Sequence, residues 1–341
     1  MQRRTKFVIM MVLAVLVLAA LVVQADPSMV AEQLSDADLT LLVAVVGLYL
    51  VNVATKVLRW WVLLHRKGES PPLSKVALYF LIGLAINNAT PGRVSGEPVR
   101  AYLVKTGTDY SMGRGMASIF IEKTIDTVVT LTFAVLGLVL LIDVLNPKAT
   151  NDLMLSAGIV ALFMGTLIVF IAFPGIPRRI AAWFFARMRG RGESERAERW
   201  EATIDGFLGS FERGTKEIGR SPVKTMAATG LTAVIWFNEA LRLWLVFVAL
   251  GFDPGPSFEL MIVATSLASF AALLIPLGAG SSTAIAAICT VAGIEGTLST
   301  TSGLVFVMTS IWISIPLGAA AMALSGIKAG DVLSGDQAQD G

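Results

Sequence analysis

Long apolar runs separated by short polar segments organise this chain. Each run near 20 residues is long enough to cross a hydrocarbon layer as a helix. Six such spans are predicted, over residues 7–23, 39–64, 116–142, 153–173, 223–250 and 301–324. Two further apolar stretches depart from this length. The run Val76 to Ile86 holds about eleven residues and meets the polar tract NNATPGRVSGEPVR, Asn87 to Arg100. The run Phe258 to Ile275 breaks at Pro276-Leu277-Gly278-Ala279-Gly280, and apolar helix resumes from Ser281 to Val291. Irregular backbone at membrane depth needs protein or a water-filled cavity to satisfy its amides and carbonyls, so both breaks point to a polar pathway.

Charge placement orients the spans. Arg3, Arg4 and Lys6 precede the first run, and Gln24-Ala25-Asp26 is a poor cleavage site, so a retained helix is expected. The loop from Gln24 to Asp38 carries Asp26, Glu32, Asp36 and Asp38 with no Lys or Arg, which places the N-terminus in the cytoplasm. Were Val76 to Ile86 to cross, Arg93, Arg100, Lys105 and Arg114 would lie outside, against the positive-inside bias. A re-entrant hairpin opening to the cytoplasm removes that conflict, and a second, around Pro276, opens outside. The stretch from Pro174 to Pro222, with ten Lys/Arg and seven Asp/Glu, falls inside. Trp200, Ile204, Phe207, Leu208 and Phe211 recur there at helical spacing, as in an amphipathic helix on the inner leaflet or a solvated helical linker. The last span ends inside at Lys328, before a polar tail expected to be disordered over 331–341.

The expected fold is an all-α polytopic membrane protein, with about six full spans and two re-entrant helical hairpins in an inverted-topology repeat. One transmembrane domain, 1–330, would contain pseudo-repeats of about 1–147 and 148–330. Asn52 and Arg59 in one helix echo Asn238 and Arg242 in another, and the distance from Asn52 to Pro91 nearly equals that from Asn238 to Pro276. Transporters built this way bring broken helices together near the midplane. Coincidence among so many apolar residues is the competing explanation.

Composition narrows the chemistry. With 55% hydrophobic and 15% charged residues and a net charge of +2, the chain gives no sign of nucleic-acid binding, and the partner that composition implies is the bilayer. A single cysteine, Cys289, rules out intrachain disulfides. His65 lies at a loop edge, no metal-ligand cluster or phosphate-binding glycine loop occurs, and no histidine is placed to activate Ser281 or Ser282. No cofactor is expected. A carboxylate-based lipid transferase using Glu97, Glu122 or Asp126 is the enzyme alternative, and a scaffold for an envelope-lipid enzyme is the third reading.

The candidate residues fall in two groups. In the tract, Pro91 and Pro98 interrupt helical hydrogen bonding, Gly92 and Gly96 permit turns, and Arg93, Glu97 and Arg100 supply charge. A helix starting near Glu97 would aim free amides at an anion, and a guanidinium fork suits phosphate, so lipid phosphate is a natural ligand. Glu122 and Asp126, four apart, either favour a positive helix end or join a polar cluster with Arg93 or Arg100. Glu239 and Arg242 share a helical face mid-run, where they pair with each other or contact a substrate. Lys56 and Arg59, nearer a cytoplasmic helix end, read as snorkelling to the interface.

Asn88, Pro91-Gly92-Arg93, Gly96-Glu97, Arg100, Glu122-Lys123 and Asp126 resemble the motif of the lysylphosphatidylglycerol synthase transmembrane-region family, also called flippase-like. The resemblance covers most of the chain. It implies movement of a lipid between leaflets of the cell membrane. Charge placement puts both termini in the cytoplasm, and the expected arrangement has the two hairpins facing each other, Arg93 and Arg100 gripping the headgroup phosphate and Glu97, Glu122, Asp126, Glu239 and Arg242 lining the route. Family members often carry Pro-Gly-Gly-X-Gly and then a Glu at the second break, whereas Ser281, Ser282 and Thr283 follow here. The soluble aminoacyl-transferase domain of larger relatives is not expected in a sequence stopping at Gly341, so synthase activity does not follow from the family name.

Overall fold

A computed structural model describes residues 15–23, 26–66, 70–90, 95–141, 209–252, 255–275 and 277–327, with scattered positions between 151 and 206. The described residues are helical, without strands. In chain order the helices are α1 (Val15–Val23), α2 (Pro27–Ser35), α3 (Leu39–Leu64), α4 (Leu73–Ala89), α5 (Gly96–Gly107), α6 (Met112–Leu141), α7 (Pro222–Ala249), α8 (Phe258–Leu274), α9 (Ala279–Val291), α10 (Gly296–Met308) and α11 (Ile311–Ser325). Four are long and apolar enough to cross a membrane: α3, α6, α7 and the continuous pair α10–α11. The bent pair α1–α2, meeting at 89°, makes a fifth if taken as one span. The protein is thus an all-helical, multi-pass membrane protein. The span expected at 153–173 lies outside the described residues.

Helix ends follow local chemistry. Asp38 caps α3 by accepting from Thr40 N (2.8 Å) and Leu41 N (3.2 Å), leaving two fewer orphan amides in an apolar setting. Glu295 does the same for α10, accepting from Thr297 N (3.0 Å) and Leu298 N (2.8 Å). The last span was expected from Thr301; this cap starts its helix five residues earlier, and the polar run Thr297 to Ser302 is buried within it. Burial alone would raise the Glu295 carboxyl, but the Leu298 and Thr297 amides outweigh it and hold the group below the usual carboxylate range. A lowered acid pKa stabilises the fold above the unfolded value, and the gain is lost as pH falls through the folded one. Thermal stability should therefore fall more steeply on acidification, from about pH 5 to pH 3, in the wild type than in Glu295→Gln. Parallel curves would show that the cap contributes nothing.

α4 and α5 form a tight antiparallel hairpin. Their contact runs from Asn87 beside Gly96, through Gly83 beside Arg100, to Tyr79 beside Gly107, where Lys75 Nζ donates to Gly107 O at 2.9 Å. α4 extends the expected eleven-residue run to 17 residues, about 25 Å at 1.5 Å per residue. That is still short of the ~30 Å hydrocarbon layer. α8 and α9 form a second hairpin, with Gly280 against Ala271 and Ser281 Oγ donating to Ala268 O at 3.3 Å. Leu277 (φ 57°) and Gly278 (φ 84°) reverse the chain between them, both in the left-handed region that a β-carbon disfavours.

α3 and α7 pack side by side, antiparallel. Asp38 N donates to Ala249 O (2.8 Å) at one end, and Lys224 Nζ donates to His65 O at the other. Midway, Asn52 Nδ2 donates to Asn238 Oδ1 (3.1 Å) and to Ile235 O (3.0 Å). The hairpins are locked to the last spans in a crossed manner. α4 packs on α11, where Gly318 lets Leu81 and Ala85 approach, and α8 packs on α6, where Gly137 lets Glu259 O and Val263 approach. Of the amphipathic stretch 194–218, the described segment 209–219 is helical and packs on α6. Phe211 meets Phe120 edge-on (centroids 5.0 Å apart), and Gly214 abuts Ala117. Its apolar face is therefore covered at least in part by protein.

Candidate functional site

Two charge clusters sit among the apolar helices. In the first, Glu122 of α6 is 2.9 Å from Arg100 Nη2 and 3.2 Å from Arg59 Nη2, with all three side chains at most 4% exposed. Arg59 also pairs with Asp126, through Nη2 to Oδ2 at 3.1 Å and through Nη1, and Nη1 donates to Thr232 Oγ1 at 2.8 Å. The Arg100 guanidinium lies over Trp60 and Phe80, 4.1 and 4.5 Å from the ring centroids. At the rim, Lys123 Nζ is 3.1 Å from Glu97. Three cations thus face three carboxylates. Burial without such pairing would cost several kcal/mol per ion.

The second cluster joins α3 and α7. Glu239 bridges two cations, Oε1 to Lys56 Nζ at 3.1 Å and Oε2 to Arg242 Nη1 at 2.7 Å. Arg242 is fully buried between Tyr49 and Phe306, with its guanidinium 4.9 and 4.8 Å from their ring centroids. It also donates to Val45 O (3.3 Å) and Thr309 O (3.4 Å). Each of the three guanidinium nitrogens makes a hydrogen bond, so Arg242 is an anchor. Lys56 is 24% exposed.

Lys56 and Glu239 line a cavity of about 130 Å³ between the two hairpins. That is roughly ten times the ~10–15 Å³ one water needs. Asn88 and Leu84 enter from the tip half of α4, Thr265 and Ser269 from α8, Ser281 from α9, and Ser310 from the break between α10 and α11. Trp236 also lines it, and its buried indole N–H has no hydrogen-bond partner among the described residues. Asn88 Nδ2 donates to Ser314 Oγ at 2.7 Å, fixing that tip to α11.

The sequence-derived candidates are therefore distributed over different places. Asn88 and Glu239 line the cavity, Arg242 anchors Glu239 from behind, and Glu97, Arg100, Glu122 and Asp126 form the neighbouring ion-pair cluster. Gly96 makes the α4–α5 contact, and its N–H is taken by Asn87 Oδ1 at 2.6 Å, so one of the amides at that helix start is already capped. Pro91, Gly92 and Arg93 lie outside the described residues, as does Pro276. Lys56 and Arg59 were expected to snorkel to the interface; instead both meet carboxylates among packed helices. Tyr49, Asn52, Lys56 and Arg59 follow 3-4-3 spacing on one face of α3, a signal that could have placed them inward.

The family described as the lysylphosphatidylglycerol synthase TM region matches residues 7–318. A UPF0104 membrane protein of Methanothermobacter thermautotrophicus is 27% identical, over 96% of this chain and 98% of its own length. Another UPF0104 membrane protein, from Pyrococcus horikoshii, is 20% identical over 83% of this chain and 86% of its own. The glycosyltransferase AglD of Haloferax volcanii is 26% identical over 74% of this chain, but only 43% of that protein is covered. No solved structure matches. A match over nine-tenths of the length, running through both charge clusters and both hairpins, makes this chain a member of the lysylphosphatidylglycerol synthase transmembrane-region family.

Proposed function

We propose that this protein moves a phosphate-containing lipid between leaflets, the headgroup passing through the cavity between the two hairpins. The observation that carries the reading is that cavity itself: a partly open space where two short helical hairpins meet, in which Lys56, Glu239, Asn88 and several hydroxyls stand among apolar side chains. A headgroup cannot cross hydrocarbon cheaply, and such a space substitutes for water along the route.

The inverted-repeat reading is supported by the crossed packing. Asn52 and Asn238, the pair that echo each other in sequence, hydrogen-bond midway along the α3–α7 contact. Gly318 of α11, against α4, and Gly137 of α6, against α8, occupy matching places, each letting the first helix of one hairpin approach the last span of the opposite repeat. Rocking one repeat against the other would open the cavity alternately to either side, with both termini in the cytoplasm. Arg93 is retained from its sequence position as a headgroup ligand at the first hairpin.

Vesicles reconstituted with the purified protein should equilibrate labelled anionic phospholipid between leaflets faster than empty vesicles. An unchanged rate would overturn the proposal. The similarity to a protein named as a glycosyltransferase favours one second reading, a lipid-modifying transferase, alone or as a scaffold for such an envelope enzyme. Lipid mass spectrometry of a deletion strain separates them, since loss of an enzyme removes a product whereas loss of a transporter misplaces one.

A further inference from the structure

We infer that Lys56 binds a phosphodiester monoanion in this cavity, in competition with Glu239; the inference deepens the transport reading by naming the ligand chemistry and the residue that meets it. The first argument is charge balance. In the neighbouring cluster Arg59, Arg100 and Lys123 are matched by Glu97, Glu122 and Asp126. Around the cavity, Lys56 and Arg242 share one carboxylate, Glu239. Among the described residues one positive charge is left over, inside a protein where an unbalanced ion is expensive. A phosphodiester carries one negative charge and balances it; a zwitterionic headgroup brings no net charge, and a dianion overshoots.

The second argument is which cation can respond. Arg242 is held by Glu239, two backbone carbonyls and two aromatic faces. Lys56 faces the cavity on a flexible stem, with three donors of which Glu239 takes one. An entering anion can share Lys56 or draw it off Glu239, which keeps its bond to Arg242 and so is not left uncompensated.

Competition gives the two substitutions opposite signs. Removing the cation weakens anion binding, while removing the resident carboxylate strengthens it. A purely structural ion pair predicts that both changes weaken binding together. The test uses the full chain in neutral detergent with dioctanoyl phosphatidylglycerol as monoanionic probe and dioctanoyl phosphatidylcholine as its zwitterionic counterpart, read by calorimetry.

Wild type should prefer phosphatidylglycerol. Lys56→Gln should weaken that binding about tenfold, the equivalent of about 1.4 kcal/mol, Lys56→Arg should retain it, and Glu239→Gln should tighten it several-fold. Dimethyl phosphate, the same anion without acyl chains, should displace the lipid from wild type, which assigns recognition to the phosphodiester. Failure to displace it, equal affinity for the two lipids, or equal affinity in wild type, Lys56→Gln and Lys56→Arg would overturn the inference, and so would weakened binding in a folded Glu239→Gln. If Glu239→Gln does not fold, the three Lys56 forms decide alone. Protein that binds in the expected pattern but leaves labelled lipid unmoved in vesicles overturns the transport reading only. Transport with a binding pattern indifferent to Lys56 overturns this one only.

Discussion

Glu122→Ala is expected to be the most destabilising single change in the described protein, lowering stability by about 3–5 kcal/mol. Glu122 is 2% exposed and is the carboxylate shared by Arg59 and Arg100. Without it Arg59 keeps Asp126, but Arg100 keeps only the faces of Trp60 and Phe80. A cation–π contact of about 2 kcal/mol when desolvated does not offset an uncompensated guanidinium. Glu122→Gln retains the shape and some hydrogen bonding, so it should fall between the two. Thermal unfolding in detergent, followed by the fraction that stays monodisperse, measures the order. A Glu122→Ala protein as stable as wild type would mean that Arg100 is not sealed from water.

Gly96→Ala should open the first hairpin and abolish transport while the protein still inserts in the membrane. A β-carbon at Gly96 would lie 2.0 Å from Gly83 O and 2.8 Å from the Asn87 side chain. The first of these is backbone, which cannot yield as a flexible side chain can, so α4 and α5 must part. Overpacking of this kind costs about 1–3 kcal/mol, occasionally more. Its functional effect is larger, because Asn88 and Leu84 on α4 line the cavity. Gly230→Ala is the control: nothing lies within 4 Å of its β-position, so it should be neutral or slightly stabilising. Vesicle transport compared between the two variants checks the claim, and equal rates would show that the hairpin contact is dispensable.

Both predictions rest on residues that the sequence made visible as charged or small, yet not on roles that it could assign. Glu122 stood four residues from Asp126 at a helix start, where dipole stabilisation and a polar cluster with Arg93 or Arg100 were equally open readings, and the Arg100 pairing bears out the second. Only packing brings Arg59 from α3 and Arg100 from α5 to the same carboxylate. Lys56 and Arg59 misled for a related reason. Nearness to a helix end suggests snorkelling, but which face points inward depends on α7, 183 residues away along the chain from Lys56 to Glu239. Gly83 and Gly96 likewise become necessary only once two helices lie within backbone contact.

The apolar runs, their lengths and their interruptions determined by themselves that this chain is a helical, multi-pass membrane protein with two short hairpins, because helix length against hydrocarbon thickness is a local property. The tract from Asn88 to Arg100, with Glu122-Lys123 and Asp126, was also enough to suggest the family. The tertiary structure decided which charges neutralise one another and which border a cavity. Ion pairs between helices far apart in sequence follow from their packing, and the composition of no single segment encodes it. That packing matches three cations with three acids in one cluster and leaves Lys56, beside Glu239 and Arg242, facing the space between the hairpins.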